Sequence, residues 1–292
     1  MNHFEGIWIP LVTPFRDGAV DSVAAVRLAR HLAVQRVAGF VVCGTTGEDA
    51  ALDESERIAL LQAVVDAVGA HQPVVMGLAG SNTAKLAAQA ARYACLGIAG
   101  LLLSAPAYVR PTQQGIRRHF ETIAAAVPQT PMLIYNIPYR TGVNIDVATC
   151  RALAENPQFV AIKDSGGGNL NQTMDLLRET PLKLLCGEDA SIFVSGCLGG
   201  HGAISAAAHI LPGEYVRMDA HLRRGELPAA RAIHERLLPL IRALFAEPNP
   251  APLKAALAMQ GHIEDGLRLP MLPASADCRA QLRQCMLQLG AL

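Results

Sequence analysis

Short apolar runs alternate along the chain with longer amphipathic segments. The runs are five to seven residues long and apolar on both faces, which is typical of strands in a parallel sheet covered on both sides. The segments between them have the apolar spacing of helices that bury one face. Eight strands are predicted in this way: Gly6–Val12, Gly39–Gly44, Pro73–Ala79, Gly100–Ala105, Pro131–Ile137, Phe159–Asp164, Lys183–Glu188 and Gly202–Ala206.

The predicted helices lie between these strands, near residues 21–38, 53–69, 83–96, 112–126, 146–155, 169–179 and 189–198. Eight strands in alternation with helices predict an α/β fold of the (β/α)8 type, the TIM barrel. A doubly wound sheet is the main alternative, but it usually has fewer strands and often a glycine fingerprint, which is absent here. Two or three further helices are expected from about residue 212 to 290. We therefore predict a barrel over residues 1–222 and a C-terminal helical extension packed on it over residues 223–292.

Composition and charge exclude several classes of protein. Hydrophobic residues make up 51 % of the 292 positions and charged residues 17 %, so the chain can bury a large core. The 25 basic and 25 acidic residues cancel, which argues against nucleic acid or an anionic membrane as a partner. The seven cysteines form no CxxC pair, and no cysteine–histidine spacing matches a zinc site. Without a signal-like leader or a long apolar run, we expect a cytoplasmic protein with no metal ion and no membrane segment.

One lysine is a candidate nucleophile. The chain has only four lysines, and Lys163 ends the predicted sixth strand, on the side of a barrel where active sites lie. Because that strand is apolar on both faces, Lys163 is expected to be buried, where desolvation favours the neutral amine that attacks a carbonyl to give a Schiff base. An ion pair with an acid of a neighbouring strand is the structural alternative. Lys85 on a polar helix face, Lys183 at the opposite end of its strand and Lys254 on a helix beyond the barrel are weaker candidates.

Four further features lie at the same ends of the predicted strands. Tyr135 is near the height of Lys163, and beside that lysine we interpret it as a proton shuttle rather than as a core tyrosine. The turn Gly44–Gly47 has two glycines and two threonine hydroxyls that suit a carboxylate, although many plain loops have this composition. Arg140 can bind a carboxylate in bidentate fashion or lie free on the surface. Tyr108 lies in a proline-bracketed loop, where packing over a helix end is the alternative to a functional role.

Three motifs occur together at barrel spacing: Gly44-Thr45-Thr46-Gly47-Glu48, Tyr135-Asn136-Ile137-Pro138-Tyr139-Arg140-Thr141-Gly142 and Ile162-Lys163-Asp164. As a set, they resemble the pyruvate-dependent class I aldolase family of dihydrodipicolinate synthase and N-acetylneuraminate lyase. The resemblance runs essentially end to end, from Val12 to Met271. Within the family, four features favour the synthases: Thr45-Thr46, Arg140-Thr141-Gly142, Glu247-Pro248-Asn249-Pro250 and Leu269-Pro270-Met271.

The resemblance implies a mechanism and a role for each site residue. Lys163 would form a covalent imine with pyruvate, and the enamine would attack L-aspartate 4-semialdehyde to give 4-hydroxy-tetrahydrodipicolinate for lysine and diaminopimelate biosynthesis. Arg140 would grip the carboxylate of the aldehyde substrate. The other implied residues are Thr45 and Thr46 on the pyruvate carboxylate, Tyr135, Thr46 and Tyr108 in a proton relay, and Gly187 and Ile204 lining the site. No metal or organic cofactor is implied, and the chain would form a homo-oligomer, a dimer or tetramer, in which the neighbouring subunit supplies Tyr108.

Two stretches depart from the synthases. The loop Asp164–Asn169 is one residue longer and begins as in other aldolases of the family, which leaves a 2-keto-3-deoxy sugar acid or 4-hydroxy-2-oxoglutarate open as the substrate. Ala107 and Lys85 stand where the lysine-inhibited synthases have an aromatic residue and an acid. Because a cation at Lys85 would repel the ammonium of lysine, weak or absent lysine inhibition is expected.

Two alternatives to a pyruvate aldolase remain from other classes of protein. A non-catalytic paralogue that binds a keto acid is disfavoured because the lysine, tyrosine and threonines of the family's core are all present. A pyridoxal phosphate barrel also uses a lysine imine, but the sequence contains no convincing phosphate loop.

Overall fold

The computed structural model describes residues 4–292 and contains a closed barrel of eight parallel strands. Consecutive strands pair with one another, and β1 closes the barrel against β8 with Trp8 beside Ile204. The strands are β1 (Gly6–Pro10), β2 (Gly39–Val42), β3 (Val74–Leu78), β4 (Gly100–Ser104), β5 (Met132–Asn136), β6 (Phe159–Asp164), β7 (Lys183–Cys186) and β8 (Gly202–Ile204). The predicted (β/α)8 barrel is confirmed, and all eight predicted strands are present.

A helix follows each strand and covers the outside of the barrel. The eight helices are α1 (Ser22–Ala33), α2 (Glu54–Val68), α3 (Thr83–Ala94), α4 (Gln113–Ala125), α5 (Val147–Ala154), α6 (Leu170–Glu179), α7 (Ile192–Cys197) and α8 (Pro212–Arg223). Several begin at a side-chain cap; Asp53 and Glu56 form a complete capping box at the start of α2. Helix α1 ends at Ala33, earlier than predicted, and Arg36 beyond it has a positive φ of 62° that no helix continues through.

Two buried layers of side chains stabilise the barrel. Trp8, Leu133 and Ala161 belong to the layer inside the barrel. A larger layer, which includes Ile9 and Ile162, lies between the strands and the surrounding helices. Because successive side chains of a strand point to opposite faces, the strands are apolar throughout, which is why the sequence shows short continuous apolar runs.

Three helices form the C-terminal extension: α9 (Leu227–Leu244), α10 (Ala251–Met259) and α11 (Ala276–Gln288). With α8 they make four α-helices after β8, whereas the sequence predicted two or three. Gly225, at a φ of 73°, separates α8 from α9, and a single glycine within an amphipathic stretch is a weak signal for a break. A domain boundary between residues 222 and 223 stays a prediction. Within residues 4–292, no helix has both the length and the apolar character needed to cross a membrane.

Candidate active site

A cavity of about 370 Å³ opens at the carboxyl ends of the barrel strands. This is the end of a (β/α)8 barrel at which active sites lie. Seven of the eight predicted site residues line the cavity, namely Thr45, Thr46, Tyr135, Arg140, Lys163, Gly187 and Ile204. The segment 245–249 of the extension completes the wall, a contribution that the sequence did not predict.

Lys163 lies near the end of β6, with only 6 % of its surface exposed. Its strand neighbour is Tyr135 on β5, and its Nζ lies 4.3 Å from the centre of the Tyr135 ring. No acid among residues 4–292 lies within ion-pair distance of Lys163, in contrast to the structural alternative. A buried amine that faces a cavity without an anionic partner is suited to attack a carbonyl.

Gly187 makes room for the lysine side chain. A Cβ atom at this position would lie 2.9 Å from Lys163 Cε and would overlap the hydroxyl of Ser165. Any larger residue would therefore displace Lys163 from its position in the cavity. The glycine is a steric requirement of the site, in addition to being part of its wall.

The two threonines lie in a tight turn directly after β2. Residues Thr45–Gly47 form a single 3-10 turn, and Glu48 beyond it has a left-handed backbone with a φ of 55°. The hydroxyl of Thr13 donates a hydrogen bond of 2.6 Å to the carbonyl of Gly47, and this bond stabilises the turn. Thr46 is buried, and its hydroxyl oxygen accepts a hydrogen bond of 3.0 Å from the side-chain amide of Asn249.

A buried ion pair lies under the same turn. Lys254 of α10 is fully buried, and its Nζ donates to Glu48 Oε1 over 2.7 Å and to the carbonyl of Thr13 over 2.8 Å. The ammonium also lies 4.3 Å from the ring centre of Phe15. Burial raises the pKa of Glu48 and lowers the pKa of Lys254, while the opposite charge of each partner counters the shift of the other. The pair joins the extension to the loop that carries the threonines.

The carboxylate of Asp189 belongs to the lining of the cavity. Asp189 is buried and accepts hydrogen bonds from the hydroxyl of Ser205 over 2.5 Å and from the backbone N–H of Ala207 over 2.8 Å. Burial raises the pKa of its carboxyl, and these donors limit the shift. Asp189 thus fixes the segment after β8.

Arg140 and Tyr108 lie at the open rim. Arg140 is on a short helix, Pro138–Thr141, and lines both this cavity and a second one of about 350 Å³ beside it. Tyr108 is 94 % exposed at a positive φ of 73°, and its backbone N–H donates to the carbonyl of Thr141. The structure therefore does not bring Tyr108 together with the other seven residues within this one chain.

The second cavity shares a wall with the first, formed by Thr45, Tyr135, Ile137, Arg140 and Asn249. It extends outward to Ala107 and to the segment 268–271.

Comparison with known proteins assigns the chain to a family. Residues 3–289 match the model of the dihydrodipicolinate synthetase family. The chain belongs to this family. The membership that the three sequence motifs predicted is thus confirmed, and it covers nearly the whole chain.

Individual members of the dihydrodipicolinate synthetase family are similar over their full length. The 4-hydroxy-tetrahydrodipicolinate synthase of Sorangium cellulosum is 41 % identical, over 98 % of this chain and 96 % of that protein. The enzyme of the same name from Cyanothece sp. is 38 % identical, with all of both chains covered. A crystal structure of DHDPS from Cyanidioschyzon merolae with lysine bound has a TM-score of 0.96 and 40 % identity, over 99 % of each chain.

Three residues around the site were not predicted from the sequence. Lys254 was placed correctly on a helix beyond the barrel, but its burial was not foreseen because no pattern within α10 indicates which side chain reaches another element. Asn249 lies in the segment Glu247-Pro248-Asn249-Pro250, which the sequence analysis used as a family feature without assigning Asn249 a place in the site. Asp189 follows a strand end and had that signal, yet strand ends alone do not show which acids face the cavity.

Proposed function

We propose that this chain is a Schiff-base lyase that condenses pyruvate with L-aspartate 4-semialdehyde to give 4-hydroxy-tetrahydrodipicolinate, a step toward diaminopimelate and lysine. The position of Lys163, buried without an acidic partner and facing the cavity, carries this proposal. The names of the full-length relatives support the choice of reaction. The reaction needs no metal or organic cofactor, and we infer that it takes place in the cytoplasm.

Imine formation is the first step. The neutral amine of Lys163 adds to the keto carbon of pyruvate, and the resulting carbinolamine loses water to form the imine. We assign to the phenol of Tyr135, whose residue pairs with Lys163 across the strands, the delivery of the proton that leaves with the hydroxyl group. Loss of a proton from the methyl group then converts the imine into the nucleophilic enamine.

The pyruvate carboxylate is assigned to the Thr45–Gly47 turn. Thr46 lines only the catalytic cavity, and its hydroxyl is suited to donate to the carboxylate. The resemblance implied Thr46 as the hydroxyl of the proton relay. Because Thr45 lines both cavities together with Tyr135, whereas Thr46 lines only the first, we assign the relay hydroxyl to Thr45 instead. We assign the outer end of that relay to Tyr108 of a second copy of the chain, because the Tyr108 of the same chain points to solvent. This assignment requires at least a dimer.

Arg140 is assigned to the acceptor. The enamine carbon attacks the aldehyde carbon, which forms the new carbon–carbon bond, and the aldehyde oxygen takes up a proton to become the hydroxyl. Arg140, at the rim of the cavity, would hold the acceptor carboxylate through a bidentate ion pair. The amino group of the acceptor then displaces Lys163 from the imine carbon, which closes the ring and frees the lysine.

A second candidate function is another pyruvate-dependent aldolase of this family. The observation in its favour is the loop Asp164–Asn169, whose glycines Gly167 and Gly168 have positive φ values and open space around them. A sugar acid or 4-hydroxy-2-oxoglutarate would then replace the aspartate semialdehyde. Both candidates need the Lys163 imine, so the acceptor alone distinguishes them.

The test is to trap the imine with borohydride in the presence of pyruvate, followed by intact mass and a peptide map. We expect one pyruvate-sized adduct on Lys163 and none in the Lys163→Arg variant. Lys183→Arg, at the other end of the barrel, is the matched control and should keep the adduct. A folded wild-type protein without adduct would refute the proposal. A panel of aldehydes and keto acids, with pyruvate consumption or release as the readout, then selects the acceptor.

A further inference from the structure

Asn249 makes an unusual contact with the catalytic turn. Its side-chain Nδ2 donates to Thr46 Oγ1 over 3.0 Å, while its own Oδ1 is buried and has no hydrogen-bond partner among the residues that the structure describes. Asn249 lies on the wall between the two cavities. The amide therefore donates to Thr46 and leaves its own oxygen acceptor unused. An unused buried acceptor lowers the stability of the fold, so this arrangement is expected where it serves the site.

The direction of this hydrogen bond fixes the Thr46 hydroxyl. A threonine hydroxyl has one hydrogen to donate and two lone pairs that accept. Because Asn249 occupies a lone pair, the hydrogen of Thr46 must point elsewhere, and it has no acceptor within residues 4–292. We propose that Asn249 is a positioning residue that directs the Thr46 hydroxyl hydrogen into the catalytic cavity, toward the carboxylate of the keto acid. This inference rests on the proposed function.

Asn249 is held rigidly enough for this role. The backbone N–H of Ala251 donates to the carbonyl of Pro248 over 3.0 Å, so the segment runs directly into α10. One turn further, Lys254 of the same helix is bonded to Glu48, next to the threonine turn. The segment that carries the donor amide is thus tied, through α10 and Lys254, to the loop that carries the hydroxyl, and the two groups are brought together before substrate binds.

Two substitutions separate positioning from mere structural support. Asn249→Asp keeps the size of the side chain but replaces the donor by an acceptor, so the Thr46 hydroxyl turns away from the cavity to donate to the new carboxylate. Asn249→Ala removes the donor and leaves the hydroxyl free to rotate toward substrate.

The readout is the pyruvate concentration that half-saturates imine trapping, measured by intact mass after borohydride. We expect a rise of about tenfold to a hundredfold for Asn249→Asp, the loss of one hydrogen bond to a charged group. For Asn249→Ala we expect a rise of less than about fivefold, since the hydroxyl can still donate to the substrate.

If Asn249 had only a structural role, the two effects would come in the opposite order. The isosteric Asn249→Asp would then be tolerated better than the cavity-forming Asn249→Ala. The negative charge of Asn249→Asp would also repel pyruvate, and the Thr46→Val background measures that contribution alone. We expect the effect of Asn249→Asp to be at least threefold smaller in Thr46→Val than in the wild type. The defect should also shrink, relative to wild type at each pH, as the pH falls and the introduced carboxyl takes up a proton.

Three outcomes would overturn the inference: Asn249→Ala worse than Asn249→Asp, an equal effect of Asn249→Asp in both backgrounds, or a defect that does not change with pH. Failure of the inference is distinguishable from failure of the proposed function. If wild-type protein forms no imine, the proposed function fails. If it forms the imine and the variants behave in one of these three ways, only the role of Asn249 fails.

Discussion

The Lys254–Glu48 pair gives the sharpest stability prediction. Lys254 is fully buried, and Lys254→Met would leave the carboxylate of Glu48 buried without its cation. Loss of one partner of a buried, hydrogen-bonded ion pair costs about 3–5 kcal/mol of the free energy of unfolding. With an unfolding entropy of about 2.1 cal/mol/K per residue over 292 residues, this lowers the melting temperature by about 5–8 °C.

A surface pair supplies the matched control. Lys183 and Glu5 form an ion pair of similar length, 2.8 Å, but the side chains are 39 % and 28 % exposed. Such pairs contribute about 0–1 kcal/mol. Lys183→Met should therefore lower the melting temperature by less than about 2 °C, from the same entropy. Both variants are compared with wild type by calorimetry at one scan rate.

Two further measurements test whether the unpaired carboxylate of Glu48 causes the loss of stability in Lys254→Met. Adding Glu48→Gln to Lys254→Met should recover most of the lost stability, since the buried charge is then gone. In Lys254→Met alone, the pKa of Glu48 rises further above its unfolded value, so the variant loses stability as the pH rises. Its deficit relative to wild type should be larger at pH 8 than at pH 5. A deficit no greater than that of Lys183→Met, or no recovery in the double variant, would refute the reasoning.

Four other predictions follow from the site and its surroundings. Arg140→Lys should raise the KM for the acceptor aldehyde by about tenfold, with the KM for pyruvate unchanged, because one bond of the bidentate pair is lost. Gly187→Ala should abolish imine trapping in a protein that still folds by circular dichroism, because the new Cβ meets Lys163 Cε. Burial lowers the pKa of His209 from 6.5 to about 4. The stability that the neutral histidine contributes is therefore present above pH 6.5 and is lost as the pH falls toward 4. His209→Gln should flatten the melting-temperature profile between pH 6.5 and pH 4. Millimolar lysine should leave the steady-state rate nearly unchanged because of Lys85 and Ala107, and a halved rate would contradict that expectation.

The barrel was predictable because its signal is local. Each strand is a continuous apolar run, and strict alternation with helices leaves few topologies to consider. The position of Lys163 followed from the same logic, since the carboxyl ends of parallel strands meet at one rim. Seven predicted residues from five different strands or their loops line one cavity for this reason.

Contacts between distant segments were not predictable from one sequence. The partner of Lys254 is 206 positions away along the chain, and that of Asn249 is 203 positions away. Neither a spacing nor a composition within the extension indicates that these two side chains reach the loop after β2. The number of C-terminal helices was underestimated for a related reason, because the single Gly225 is a weak local signal for the break between α8 and α9. Tertiary packing, not local pattern, decided each of these features.

The two buried lysines show why burial alone does not identify a nucleophile. Both Lys163 and Lys254 lie almost entirely out of solvent, and each contacts an aromatic ring at 4.3 Å. The Nζ of Lys254 is engaged by a carboxylate and a carbonyl, and these acceptors stabilise the ammonium, in which the nitrogen has no lone pair to offer a carbonyl carbon. Lys163 has no acidic partner within residues 4–292 and opens onto a cavity with room for a substrate. The distinction between a structural and a reactive lysine therefore lies in the acceptors around the nitrogen.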